Sequence, residues 1–149
     1  MRVVVQRCSR AEVRIDGAIV GSIGKGFVLL VGMTDGDTPK EADILAKKIS
    51  QLRVFEDSEG KMNLSLGDVE GAILSISQFT LYADCRKGNR PSFIRAARPE
   101  TALPLYNYFN ETLREQYHLQ VETGEFGADM KVDFINDGPV TILMDTNEL

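Results

Sequence analysis

The sequence predicts a single α/β domain, mainly antiparallel in its sheets, with two principal helices. Three observations carry that prediction. The first third is a series of short β-branched runs separated by tight-turn signals. Two longer stretches, 38–52 and 100–117, switch to helical spacing. Finally, no linker, internal repeat or low-complexity tract divides the 149 residues, so 1–149 reads as one unit.

Val3-Val4-Val5 opens the first strand, and Val13 and Ile15 alternate with Arg14 and Asp16. Asp16-Gly17 is a two-residue hairpin signal, with Ala18-Ile19-Val20 as the return strand. Gly24-Lys25-Gly26 turns again into Phe27-Val28-Leu29-Leu30-Val31, continuous enough for a central buried strand. These three runs read as a meander. Thr38-Pro39-Lys40-Glu41 then starts a helix: Thr38 caps it, Pro39 takes the first helical position and Glu41 completes a capping box. Ala42, Leu45, Ala46, Ile49 and Leu52 form its apolar stripe.

Val54-Phe55 is a short strand, followed by a turn at Asp57-Ser58-Glu59-Gly60. Residues Ala72 to Phe79 alternate Ile and Ser, a strand with one small polar face. Residues 84–99 read as a loop. The second helix covers Glu100 to Tyr117, with Leu103, Tyr106, Phe109 and Leu113 on one face. Leu119-Val121 begins another strand. Met130-Val132-Phe134 and Val140-Ile142-Met144 flank Asn136-Asp137-Gly138-Pro139.

Rare residues exclude several kinds of chemistry. With one histidine, His118, and two cysteines, Cys8 and Cys85, the chain falls short of the four N/S ligands of a structural zinc site. No metal and no cofactor are expected. The cysteines read as reduced thiols. His118 sits at a helix end beside no nucleophile, so a His-centred triad is not expected. The N-terminus is charged too soon for a signal peptide, and the run Phe27 to Val31 is far short of a membrane span. The expected location is cytoplasmic, with no membrane partner. The net charge of −5, from 17 basic and 22 acidic residues, argues against coating nucleic acid.

Two segments carry candidate chemistry. Ser77-Gln78-Phe79-Thr80-Leu81 brings two hydroxyls and an amide to the end of a buried strand. It is either a functional strand end or a set of hydroxyls satisfied locally. Asn136-Asp137-Gly138-Pro139-Val140-Thr141 is either a hairpin turn or a loop whose main-chain oxygens accept from an ammonium group. A third feature is electrostatic. From Cys85 to Pro99 there are five basic residues (Arg86, Lys87, Arg90, Arg95, Arg98) and no acidic ones. Taking those five from 17 leaves 12 against 22, so the rest of the chain carries −10. The run is a solvated loop or a local phosphate-binding patch.

Taken together, Arg2-Val3-Val4-Val5-Gln6-Arg7, Ser77-Gln78-Phe79-Thr80-Leu81-Tyr82, Lys87-Gly88-Asn89-Arg90-Pro91-Ser92-Phe93 and Asn136-Asp137-Gly138-Pro139-Val140-Thr141 resemble the D-aminoacyl-tRNA deacylase family, in order and spacing. Ala83 stands where a glycine is expected. The resemblance implies a homodimeric, metal-independent hydrolase of the ester between an amino acid and the 3′-terminal ribose of tRNA. It implies removal of D-amino acids, and of glycine mischarged on tRNA(Ala), with L-aminoacyl-tRNA spared. It also implies a cis Gly138-Pro139 peptide entering the partner subunit's site, where it binds the substrate α-amino group and blocks an L side chain. Ser77, Gln78, Phe79 and Thr80 line the pocket beneath, and Arg7 braces the Gly-Pro loop. For catalysis the favoured reading is oxyanion stabilisation by backbone N–H groups at Phe79 and Thr80, assisted by the ribose 2′-hydroxyl. The Thr80 hydroxyl as nucleophile is the alternative. Rival readings are a Thr80 esterase of small acyl esters and a non-catalytic module that binds RNA ends.

Overall fold

The computed structural model describes all of residues 1–149. The elements in chain order are β1 (Arg2–Ile15), β2 (Ala18–Ile23), β3 (Gly26–Gly32), α1 (Pro39–Gln51), β4 (Phe55–Glu56), β5 (Met62–Leu64), β6 (Ala72–Ser77), α2 (Pro99–Glu115), β7 (Gln120–Thr123) and β8 (Lys131–Asp145). A 3₁₀ turn over Phe79–Tyr82 lies between β6 and α2. No helix is long and apolar enough to cross a membrane.

β1 organises the main sheet. Its first half, Arg2 to Cys8, pairs antiparallel with β3, and its second half, Ala11 to Ile15, pairs antiparallel with β2. β8 pairs antiparallel along almost its whole length. Because β8 occupies one edge of β1, β2 and β3 share the other. They are therefore two parts of one return path, not successive strands of a meander. Asp16 and Gly17 turn β1 into β2 with φ of 49° and 81°, the conformation their residue types tolerate.

The sheet then continues with parallel pairs, β3 with β6 and β6 with β7, each reached through a helical crossover. The sheet is thus mixed, and its parallel part sits beneath α1 and α2. Alternation splits the core in two. Val3, Val5, Phe27, Leu29, Val31 and Ile73 pack against the helices. Cys8, Ala11, Val13, Val28, Leu74 and Ile76 pack on the opposite face. β1 changes faces because its buried positions run Val3, Val5, Arg7 and then Cys8, Ala11, Val13. The irregularity in pairing with β8 falls at Cys8.

The first helix forms as its sequence dictates. Lys40 N–H donates to the Thr38 hydroxyl, while Thr38 N–H donates to the Glu41 carboxylate at 2.7 Å. The second helix differs on one face: Leu103 is 39% exposed, and burial falls on Ala102, Leu105, Tyr106, Phe109 and Leu113. The serine face of β6 is not a solvent face. Ser75 is fully buried under α2, its carbonyl accepting from the Tyr106 hydroxyl at 2.8 Å. His118 is exposed at φ 56°, just beyond α2.

Candidate active site

The strand β6 ends at Ser77, and the 3₁₀ turn begins two residues later. Gln78 N–H still donates to the Val31 carbonyl at 2.7 Å, so the sheet holds the chain up to the turn. Phe79 and Thr80 open that turn, where backbone N–H groups have no partner inside the helix. Neither N–H donates to a side chain or to a loop carbonyl. Two unpaired donors therefore stand side by side at the end of a buried strand.

The turn is fixed from behind. Tyr82 is 1% exposed, and the Arg2 guanidinium lies 4.5 Å from its ring centroid. Arg2 Nη1 donates to the Leu81 carbonyl at 2.9 Å, and Nε donates to Asp145 at 2.7 Å. Gly32 makes the close approach possible, since a Cβ there would lie 3.0 Å from the Gln78 carbonyl oxygen and from Leu81 Cβ. Neither Arg2 nor Tyr82 stands out in sequence as a support, because the partners are far apart along the chain.

Ser77, Gln78 and Phe79 line a cleft of about 500 Å³. Its opposite walls come from Ala97, Arg98 and Ala102 at the start of α2, and from Phe126 to Met130. Phe79 and Phe93 meet edge to face at its mouth, with centroids 5.0 Å apart. Both are well exposed, at 56% and 39%. Thr80 lies outside the lining. Its hydroxyl accepts from the Gln78 side-chain amide at 2.5 Å. No His, Lys or carboxylate hydrogen-bonds to that hydroxyl.

The Asn136–Thr141 segment is not a hairpin turn. Both flanks belong to β8 and pair with the same strand: Thr141 faces Gln6, and Asn136 faces Cys8. Five steps along β8 are thus matched to two along β1, and three residues are pushed out of the ladder. Asn136 and Thr141 clip the base of this bulge. Asn136 Nδ2 donates to the Thr141 hydroxyl at 3.2 Å, and Val140 N–H donates to Asn136 Oδ1 at 3.3 Å. The Gly138-Pro139 peptide is cis, and both residues are exposed. Turn-forming residue types concealed the bulge in the sequence.

Arg7 is 4% exposed and lies under the bulge. Its Nε donates to the Asp137 carbonyl at 3.1 Å, and its Nη1 donates to the Val54 carbonyl at 2.7 Å and to Glu56 at 3.0 Å. The Glu56 carboxyl is held below its ordinary pKa by the hydrogen bond from Arg7. Gly138 and Pro139 do not line the cleft that contains Ser77, Gln78 and Phe79. Within one chain the two candidate segments stand apart.

The basic run is smaller than its sequence suggests. Asp84, one residue before the counted window, binds Arg86 through both carboxylate oxygens, and its pKa falls to about 2. Lys87, Arg90, Arg95 and Arg98 are exposed and free of any carboxylate partner. No group of three or more His, Cys, Asp or Glu side chains is arranged to hold a metal ion.

A family model described as D-Tyr-tRNA(Tyr) deacylase matches residues 4–145, which include both the turn after β6 and the bulge on β8. The chain belongs to the D-Tyr-tRNA(Tyr) deacylase family. Relatives named D-aminoacyl-tRNA deacylase are close in sequence. That of Geobacillus sp. (strain WCH70) is 58% identical over 148 residues, covering 99% of this chain and 97% of the relative. That of Bacillus cereus (strain G9842) is 60% identical over 146 residues, covering 98% and 99%. Among solved structures, one titled c-Myc DNA Unwinding Element Binding Protein superposes with a TM-score of 0.92 at 44% identity, covering 97% of this chain and 98% of that one. A probable eukaryotic D-amino acid tRNA deacylase shares the fold, with a TM-score of 0.82 at 18% identity over 96% and 97%.

Proposed function

We propose that the chain selects D-aminoacyl esters by shape and hydrolyses them with main-chain groups. As a member of the deacylase family it is a hydrolase of aminoacyl-tRNA esters, and tRNA is its substrate. Cytoplasmic action follows from that substrate. The cleft beside Ser77, Gln78 and Phe79 receives the 3′-terminal aminoacyl-nucleoside. The N–H groups of Phe79 and Thr80 then stabilise the charge that develops on the carbonyl oxygen. The ribose 2′-hydroxyl assists the attack of water. An activated ester needs little more than positioning and charge stabilisation.

The observation that carries this reading is the bulge on β8, held by Arg7 and presenting Gly138-Pro139 to solvent away from its own chain's cleft. Such a projection suits a homodimer in which each Gly-Pro loop enters the partner's cleft. β8 carries exposed Ile135 and Leu143, which a second copy would cover. There the loop's main-chain oxygens accept from the substrate α-ammonium, and its bulk occupies the direction an L side chain would take. D side chains point elsewhere. Glycine has no side chain to reject, so glycyl-tRNA(Ala) is also a substrate.

Incubation with D-tyrosyl-tRNA and L-tyrosyl-tRNA side by side tests the reading. Hydrolysis of the D ester alone supports it, and equal hydrolysis of both overturns it. Because the chain is acidic outside the 85–99 run, few phosphates are neutralised and the salt dependence is shallow.

A further inference from the structure

We propose that the loop from Asp84 to Arg95 binds the unpaired nucleotides that precede the tRNA's terminal residue, by stacking and by phosphate contact. The inference rests on the deacylase reading, and goes beyond it by assigning a second surface to the same substrate.

The loop is a built structure. Asp84 and Ser92 exchange two backbone hydrogen bonds, of 2.8 and 2.9 Å, which close it into a projecting hairpin-like tip. Its one carboxylate, Asp84, is consumed by Arg86, so no anion within the loop competes for Lys87 and Arg90 at the tip. At its root, Phe93 packs on Phe79 and shares the wall of the catalytic cleft with Arg98. Ile94, next to it, is 83% exposed, more than any other large apolar side chain in the molecule. This exposed apolar pair, on the same loop as unpaired cations and continuous with the cleft through Phe93, marks a surface for a partner.

The charge selects the occupant. Single-stranded nucleic acid offers bases that stack on aromatic and apolar side chains and phosphates that pair with Lys and Arg. A double helix buries its base faces and fits only the cationic half of the surface. A second copy of this acidic chain is better served by the uncharged Ile135 and Leu143 of β8. The terminal nucleotide enters the cleft, and the strand leading to it must cross the Phe93–Ile94 edge.

The experiment compares D-tyrosine esterified to adenosine with D-tyrosine esterified to the trinucleotide CCA. The proposal expects a higher kcat/KM on the trinucleotide, and a gain that falls about tenfold in Ile94→Ser and in the double variant Lys87→Ser, Arg90→Ser. These positions are exposed, so melting curves of the variants should match the parent. Equal rates on the two esters, or the same gain in the variants, overturn the proposal. Anisotropy titration with uncharged, 5′-fluorescein-labelled ACCA reads the surface without catalysis, so it separates failure here from failure of the deacylase reading. Weaker binding by about tenfold in the same variants supports the proposal, and unchanged binding contradicts it. A shift of Ile94→Ser to a smaller species in sedimentation would instead make the edge a contact between copies, and would also overturn it.

Discussion

Arg7 holds Asp137 by a 3.1 Å hydrogen bond from Nε to the main-chain oxygen, across 130 positions of sequence. The same guanidinium reaches Val54 from its other side, so one buried side chain ties the β8 bulge to the segment after α1. Arg7→Ala leaves the buried Val54 carbonyl unpaired and removes the brace. We expect a loss of about 3 kcal/mol in denaturant unfolding, together with a smaller ratio of D to L deacylation. Arg7→Lys should fall between, because one ammonium cannot span both carbonyls as a planar fork does. A variant of full stability and unchanged selectivity would contradict the brace.

Gly138 adopts φ 127°, where a side chain is strained. A Cβ would also lie 2.8 Å from Val140 Cγ2 and 3.1 Å from Arg7 Nη2. Gly138→Ala should lower stability by about 1–3 kcal/mol. It should also shift the bulge enough to weaken protection of L-tyrosyl-tRNA. Rates on both stereoisomers measure that directly, and unchanged protection would remove the loop from the selective step.

Thr80→Ala tests the chemistry. With no base at its hydroxyl, the variant should hydrolyse D-tyrosyl-tRNA within about tenfold of the parent. Loss of a covalent nucleophile costs on the order of 10⁶ in kcat. A fall to the uncatalysed rate with tRNA binding intact would favour the hydroxyl over the backbone.

Asp84 gives a pH signature. The hydrogen bond from Arg86 lowers its pKa from the ordinary 3.8 to about 2, so the folded form binds this proton more weakly than the unfolded chain. Its contribution is complete above pH 3.8 and is lost as pH falls towards 2. The difference in melting temperature between the parent and Asp84→Asn should therefore shrink over that window. A constant difference would place the effect of Asp84 in something other than its charge.

How far the sequence could be read depended on how local each cause was. The Thr38–Glu41 capping box and the Asp16-Gly17 turn are set by neighbours, and both formed as their residues dictate. The parallel pairing of β3, β6 and β7 depends on partners far apart, which strand periodicity alone does not reveal. Asn136 to Pro139 misled for a different reason: residues that favour a hairpin also favour a bulge, and only pairing with β1 on both sides separates them. Leu103 sits at helical spacing yet outside the buried stripe, because Ala102 and Leu105 face the sheet in its place. The basic run lost Arg86 to a carboxylate one residue beyond its boundary. The candidate site could be picked out only as four segments in register, since none holds a side chain whose type alone points to catalysis.

Exclusion by the Gly138-Pro139 loop is the central claim, and one comparison tests it most directly. D-alanyl-, glycyl- and L-alanyl-tRNA(Ala) share a single tRNA body and differ only at the α-carbon. Single-turnover rates on the three should show the D-alanyl and glycyl esters hydrolysed and the L-alanyl ester spared. Glycyl-tRNA surviving alongside the L ester, or all three decaying at one rate, would contradict selection by shape.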